Sequence, residues 1–155
     1  MEQEITLNAH NKQEFPPSHT AEHLINGIVA RRFGCGRAFS AHVERKKSKL
    51  DYRIDRPFTE EEIREMEAQV NQIISEDVEV WMEFVSKDEA RNRFDMNRLP
   101  DDASETVRIV HVGDYDECLC VGDHVKRTSE IVGFRISSSS FADGVQRIVF
   151  RVDAK

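Results

Sequence analysis

Four residues of metal-binding type fall into two short pairs, His19 with His23 and Cys120 with His124. The members of each pair are four residues apart. On a helix that spacing puts both imidazoles on one face, with Cβ atoms about 5 to 6 Å apart, close enough to share an ion. The second pair reads Cys-Val-Gly-Asp-His, in which Gly122 permits a tight turn. A thiolate and imidazoles are donors of the right softness for zinc. Two surface histidines on a capped helix are the plainer reading of the first pair, and spacing alone does not choose. His19-Thr-Ala-Glu22-His23 also fits H-x-x-E-H, an inverted zinc-peptidase signature whose glutamate is a general base. Such enzymes need a further acidic ligand from a much larger scaffold.

The elements that must position these pairs follow from periodicity and punctuation. Pro16 and Pro17 close an extended N-terminal segment and Ser18 offers an N-cap. Ala21, Leu24, Ile25, Ile28 and Val29 then fall at helical spacing over His19 to Phe33, and Gly34 stands where a C-terminal cap belongs. Strand character follows at Phe39 to Arg45 and Leu50 to Ile54. Thr59 with Glu62 forms a capping box for a helix carrying Ile63, Met66, Val70, Ile73 and Ile74. Val78 to Val85 reads as a strand with Val78, Val80, Met82 and Phe84 on one face, and Ser86 with Glu89 caps a short helix. Leu99-Pro100-Asp101-Asp102 is a break. Val107 to Val112 is a strand, Asp114 to Glu117 a connection, and Ile131 to Ser137 a strand joined through Asp143-Gly144 to Val145–Val152. Strands outnumber helices without alternating regularly with them. The expectation is α+β: mostly antiparallel sheets packed with helices, in a single domain over residues 1–155.

Composition narrows the classes. The chain has 155 residues, enough for one real core, with 39% hydrophobic and 33% charged residues. No stretch approaches the roughly 18 to 20 apolar residues of a membrane span. The acidic N-terminus lacks the features of a signal peptide, which makes the cytoplasm the expected compartment. Cys35, Cys118 and Cys120 are too few and too odd in number for a disulfide framework. A net charge of −7 opposes nucleic-acid binding overall, yet basic residues gather at Arg31, Arg32 and Arg37, at Arg45, Lys46, Lys47 and Lys49, and at Lys126 and Arg127.

The order of motifs resembles a known family. His19-Thr-Ala-Glu-His-Leu24 is similar to the His-Thr-Ala-x-His-Leu helix of the alanyl-tRNA synthetase editing domain. That domain is shared with threonyl-tRNA synthetase and with free-standing alanyl-tRNA editing proteins. The likeness continues through Lys49-Leu-Asp-Tyr-Arg-Ile-Asp55, Phe58-Thr-Glu-Glu-Glu62, Val78–Val85, Asp88-Glu-Ala90 and Val107-Arg-Ile-Val110. It closes on Cys120-Val-Gly-Asp-His-Val125 and Thr128-Ser-Glu-Ile131, where the family has Cys-Gly-Gly-Thr-His-Val and Thr-Gly-Glu-Ile.

The resemblance implies the threonyl/alanyl editing-domain fold, with His19, His23, Cys120 and His124 as ligands of one zinc ion. It also implies hydrolysis, in trans, of tRNA charged with the wrong amino acid, chiefly serine or glycine on the alanine tRNA. Binding pockets separate small side chains by only about 1 to 3 kcal/mol, so a second hydrolytic sieve has a physical purpose. The ion could polarise the ester carbonyl, lower the pKa of a water or hold the amino group. Four protein ligands, however, are the pattern of a structural site. Glu22, one turn from His19, and Asp123, which replaces the family's threonine, are the candidate catalytic carboxylates. Val121 replaces a glycine, and Cys118 stands where relatives often carry an acid; a packed thiol is its simpler reading. A non-catalytic metal-stabilised domain binding tRNA or another partner, and a small-molecule metallohydrolase, are the alternatives.

Overall fold

The computed structural model describes residues 15–93, 106–120 and 122–154. Helix α1 spans Pro16–Phe33, so it begins three residues before the expected His19. Pro16 and Pro17 are its first turn rather than the end of an extended segment: a proline there gives up an N–H that has no helical partner anyway. Phe15 precedes the helix without a side-chain cap, and Ser18 is buried inside the first turn. Eleven α1 residues are buried, including Thr20 through Val29 without a break. A helix covered on all sides is a central helix, and α1 packs against α2 and strands of both sheets. Gly34 ends it in the left-handed conformation (φ 68°), with its N–H on the Ala30 carbonyl.

Strands β1 (Ser40–His42) and β2 (Ser48–Arg53) follow, then helix α2 (Glu60–Ser75), β3 (Val80–Ser86) and helix α3 (Lys87–Arg93). After them come β4 (Thr106–Val112), β5 (Asp116–Leu119), a 3-10 turn (Thr128–Glu130), β6 (Ile131–Ala142) and β7 (Val145–Ala154). They form two antiparallel sheets, ordered β1-β2-β7-β6 and β3-β4-β5. The α+β class is as expected.

Local signals hold where their chemistry is local. Thr59 and Glu62 form both halves of the capping box of α2, whose Met66, Val70, Ile73 and Ile74 are buried. Asp143 and Gly144, both at positive φ, turn β6 into β7. Other expectations need correction. The expected connection at Asp114–Glu117 is partly strand, because β5 pairs with β4 from Asp116 onward. Strand β6 runs on through the serines to Ala142, since the β7 ladder holds it there. The face Val78, Val80, Met82 and Phe84 is covered only at one end: Met82 is 40% and Phe84 67% exposed. Strand β3 is the sheet edge, while α1 lies over β4 and β5. The expected break at Leu99–Asp102 and the segment before Phe15 lie outside the described residues.

The main core joins Leu24, Ile25 and Val29 of α1 to Met66 and Val70 of α2, Val110 of β4 and Ile148 and Phe150 of β7. A smaller cluster of Val85, Ala90, Val107, Ile109 and Leu119 seats α3. This packing brings the start of α1 against the loop that leaves β5.

Candidate metal centre

That contact assembles the two pairs from opposite ends of the chain. One ligating atom from each of His19, His23, Cys120 and His124 lies within 4.8 Å of every other, a group that could hold a metal ion. Cys120 Sγ stands 3.4 Å from His19 Nε2 and 3.6 Å from His124 Nε2. The His19 ring stacks on that of His124 at 4.1 Å between centroids.

The local folding of each segment explains the convergence. His19 and His23 are successive residues of one face of α1. The Cys120–His124 loop is pinned by Arg108 of β4, whose guanidinium donates to the carbonyls of Cys120 (2.8 Å) and Gly122. The Gly122 N–H turns back to Cys120 Sγ at 3.4 Å. Thr20, buried one residue after His19, accepts the Val125 N–H at 3.2 Å and closes the loop onto α1.

His19 and His124 are also held from behind by hydrogen bonds, and a carboxylate stands behind His23. His19 Nδ1 is 3.1 Å from the Asp123 carbonyl, which can only accept. That nitrogen therefore carries the hydrogen, and in the neutral ring Nε2 presents a lone pair to the cluster. His124 Nδ1 meets Thr20 Oγ1 at 3.0 Å. Burial, with His19 and Arg108 nearby, holds His124 well below the usual histidine range, so its ring is neutral and able to ligate. His23 Nδ1 lies 3.6 Å from Asp116 Oδ2. Asp116 is buried and gripped by both terminal nitrogens of Arg37, at 2.9 and 3.2 Å. Burial raises the Asp116 pKa, against the opposing pull of Arg37. The carboxylate fits because residue 27 is glycine: a Cβ there would collide with Asp116 Oδ1.

Of the two candidate catalytic carboxylates, Glu22 faces the ligands. Its Oε1 is 3.8 Å from both His19 Nε2 and His23 Nε2, and the buried side chain accepts a hydrogen bond from Asn26 Nδ2. Asn26 Oδ1 in turn accepts from Tyr52 Oη (2.9 Å) and the Ala38 N–H (2.8 Å). Asp123 is exposed, and it is its carbonyl that reaches His19. Cys118 is a packed thiol: burial pushes its pKa to about 12 and its Sγ contacts the Leu119 carbonyl at 3.5 Å. Val121 lies outside the described residues.

Thr20, Gly27, Arg37, Arg108 and Asp116 escape a reading of the motifs alone. One signal was available. A glycine inside a helix costs about 1 kcal/mol, so Gly27 amid apolar residues implies a close neighbour.

The chain is similar in sequence to parts of known proteins. The family described as "Threonyl and Alanyl tRNA synthetase second additional domain" matches residues 107–149, which include the Cys120–His124 loop. Alanine–tRNA ligase of Aeropyrum pernix is 37% identical over 138 residues, covering 85% of this chain and 15% of the relative. That of Halorubrum lacusprofundi is 35% identical over 137 residues, with the same coverages. That of Staphylothermus marinus is 31% identical over 152 residues, covering 95% of this chain and 17% of the relative. The chain thus spans about one sixth of the length of these relatives. Over most of its own length it resembles the editing-associated region of the alanyl- and threonyl-tRNA synthetases.

Proposed function

We propose that this chain is a single editing-type domain that hydrolyses mischarged tRNA in trans, most readily seryl or glycyl esters of the alanine tRNA, with zinc held by His19, His23, Cys120 and His124. The convergence of four ligating atoms from segments a hundred residues apart carries the proposal. The donor set suits zinc. Tetrahedral zinc, with bonds of about 2.0–2.1 Å to nitrogen and 2.3 Å to sulfur, sets neighbouring nitrogen and sulfur about 3.6 Å apart. The observed separations are 3.4 and 3.6 Å. Similarity to alanine–tRNA ligases supplies the substrate class, and translation in the cytoplasm supplies the compartment. Among the described residues no helix is long and apolar enough to cross a membrane.

When bound, the ion would supply a Lewis acid for the ester carbonyl. The protein's own part falls to Glu22. Its Oε1 takes a proton from the attacking water as the oxygen adds to the ester carbon. Collapse breaks the bond between the acyl carbon and the ribose oxygen, and the proton on Glu22 Oε1 passes to that oxygen. The products are the free amino acid and tRNA with a free hydroxyl. Asn26 keeps the Glu22 carboxylate oriented, and burial keeps the Tyr52 phenol, its pKa well above the ordinary range, as a donor to Asn26. Asp123 serves through its carbonyl, by orienting His19.

The test is incubation of the purified chain with a panel of mischarged tRNAs, with and without chelator. Metal-dependent release of serine or glycine is expected; full activity after metal stripping would remove the metal from the reaction. One feature favours a second reading, a non-catalytic domain stabilised by its metal: four protein ligands close a tetrahedron. In that case no tRNA is deacylated, and chelation unfolds the protein instead.

A further inference from the structure

Of the edge strands of the two sheets, β3 alone is unprotected against a further strand. Strand β1 has three residues and β5 four. The longer β6 is interrupted by register shifts at Ile131/Gly133 and Ile136/Ser138. Strand β3 pairs with β4 in unbroken register over Val80–Ser86, and it holds neither proline nor lysine. The Glu79 carbonyl accepts from the Gly113 N–H on the β4 side, whereas the Val80 N–H donates outward, to the Lys126 carbonyl at 2.9 Å. By that alternation Trp81, Glu83 and Val85 turn their backbone groups to β4, and Met82, Phe84 and Ser86 turn theirs outward. Among the described residues nothing pairs with the outward N–H and carbonyl of Met82 and Phe84. Lys126 bounds this free stretch at one end. At the other stands α3, whose first turn Ser86 caps through its Oγ, 3.1 Å from the Glu89 N–H. The free stretch is also apolar, with Met82 and Phe84 the exposed side chains.

We propose that β3 is a self-association site, at which two copies of this chain pair their β3 strands antiparallel, Phe84 opposite Phe84, and join their three-stranded sheets into one. The free stretch is self-complementary about Phe84. In this register the two Phe84 residues exchange both their hydrogen bonds, and each Ser86 N–H meets the Met82 carbonyl of the second copy. The two rings stand side by side on one face, with Cβ atoms about 5.5 Å apart, as an aromatic cross-strand pair. Charge selects the register. A slide that set Met82 against Phe84 would place Glu83 directly opposite Glu83, two like charges; centred on Phe84, Glu83 faces Val85 instead. A further slide the same way would need the Val80 N–H, which Lys126 already takes. With Phe84 67% and Met82 40% exposed, the side chains of both copies remove on the order of 400 Å² of apolar surface. That is well below the roughly 1,200 Å² of a standard interface, so the dimer is a transient one. The proposal is independent of the editing function.

Sedimentation equilibrium of the full chain from about 10 µM to about 1 mM covers the affinity range of such a complex. The weight-average mass should climb from monomer towards dimer across that range. Phe84→Asp sets two carboxylates against each other and should raise the dissociation constant more than about tenfold. Val132→Asp removes an equally exposed apolar residue (60%) from β6 and should leave the mass profile unchanged. Hydrogen exchange reads the backbone, which a contact between side chains alone would not move: the Phe84 amide should exchange more slowly at 1 mM than at 10 µM (both approximate) in the parent, and equally fast at both in Phe84→Asp. A parent that stays monomeric at the highest concentration overturns the proposal and leaves this edge to a strand of another protein. So does a Phe84→Asp protein that associates like the parent, an equal loss in Val132→Asp, or a dimer whose Phe84 amide gains no protection.

Discussion

Gly27→Ala is the substitution on which general expectation and this structure disagree in sign. In an ordinary helix interior, alanine for glycine gains about 1 kcal/mol. Here the new Cβ would fall on Asp116 Oδ1 and come within 3.1 Å of Arg31 Nη1. Asp116 cannot swing into solvent cheaply, because it is 7% exposed and held on both oxygens by Arg37. Overpacking of this kind costs about 1–3 kcal/mol, so the net effect runs from neutral to about 2 kcal/mol destabilising. The displaced carboxylate also leaves His23 Nδ1, 3.6 Å away in the native arrangement. Loss of such an orienting partner lowers metal affinity about 10- to 100-fold, or roughly 1.4 to 2.8 kcal/mol. Denaturant unfolding in chelator measures the first effect, and competition with a chromophoric zinc chelator the second. Asp116→Asn should show the affinity loss without the clash. A Gly27→Ala protein that is about 1 kcal/mol more stable and binds zinc as tightly as the parent would refute the coupling between Gly27, Asp116 and His23.

Three further outcomes are expected. Glu22→Gln keeps the shape beside the ligands but removes the base, so hydrolysis should slow by about 10²- to 10⁴-fold with metal content unchanged; an undiminished rate excludes Glu22 as base. Arg56 and the Thr59 N–H hold the Glu62 carboxyl at about 2, below its ordinary 4.5. A depressed folded-state pKa stabilises the fold above about 4.5, and that contribution is lost as pH falls from there towards 2. NMR titration should find Glu62 near 2 and find it raised in Arg56→Ala; a Glu62 near 4.5 in the parent contradicts the cap geometry. Cys118, with its pKa near 12, should resist iodoacetamide at pH 8, where roughly one thiol in ten thousand is ionised. Rapid native-state labelling at Cys118 would contradict its burial.

What could be read from sequence was what depends on near neighbours. The helical spacing of His19 and His23, the Thr59–Glu62 box and the Asp143–Gly144 turn are each specified within five residues. Strand β5 was not legible as a strand, because Asp116–Leu119 has too few residues for a periodic pattern and is defined by its ladder with β4. Nor could the serines of β6 announce a strand that β7 imposes on them. At the site, the ligands were legible as types at given spacings, while what orients them was not. Asp116 lies 93 residues from His23 and Arg108 lies 88 residues from Thr20, and only the packing of α1 on β4 and β5 brings them together. The exposed Met82 and Phe84 make the converse point. Alternation shows which residues share a face, but not how far the covering helix extends across the sheet.

The most direct measurement is the metal content of the purified chain by inductively coupled plasma mass spectrometry. If His19, His23, Cys120 and His124 together hold one ion, the parent carries one zinc per chain and His23→Ala carries almost none, while circular dichroism shows its helices and sheets retained in both. A parent protein without stoichiometric metal after zinc loading, or a His23→Ala protein that keeps its full zinc, would contradict the centre.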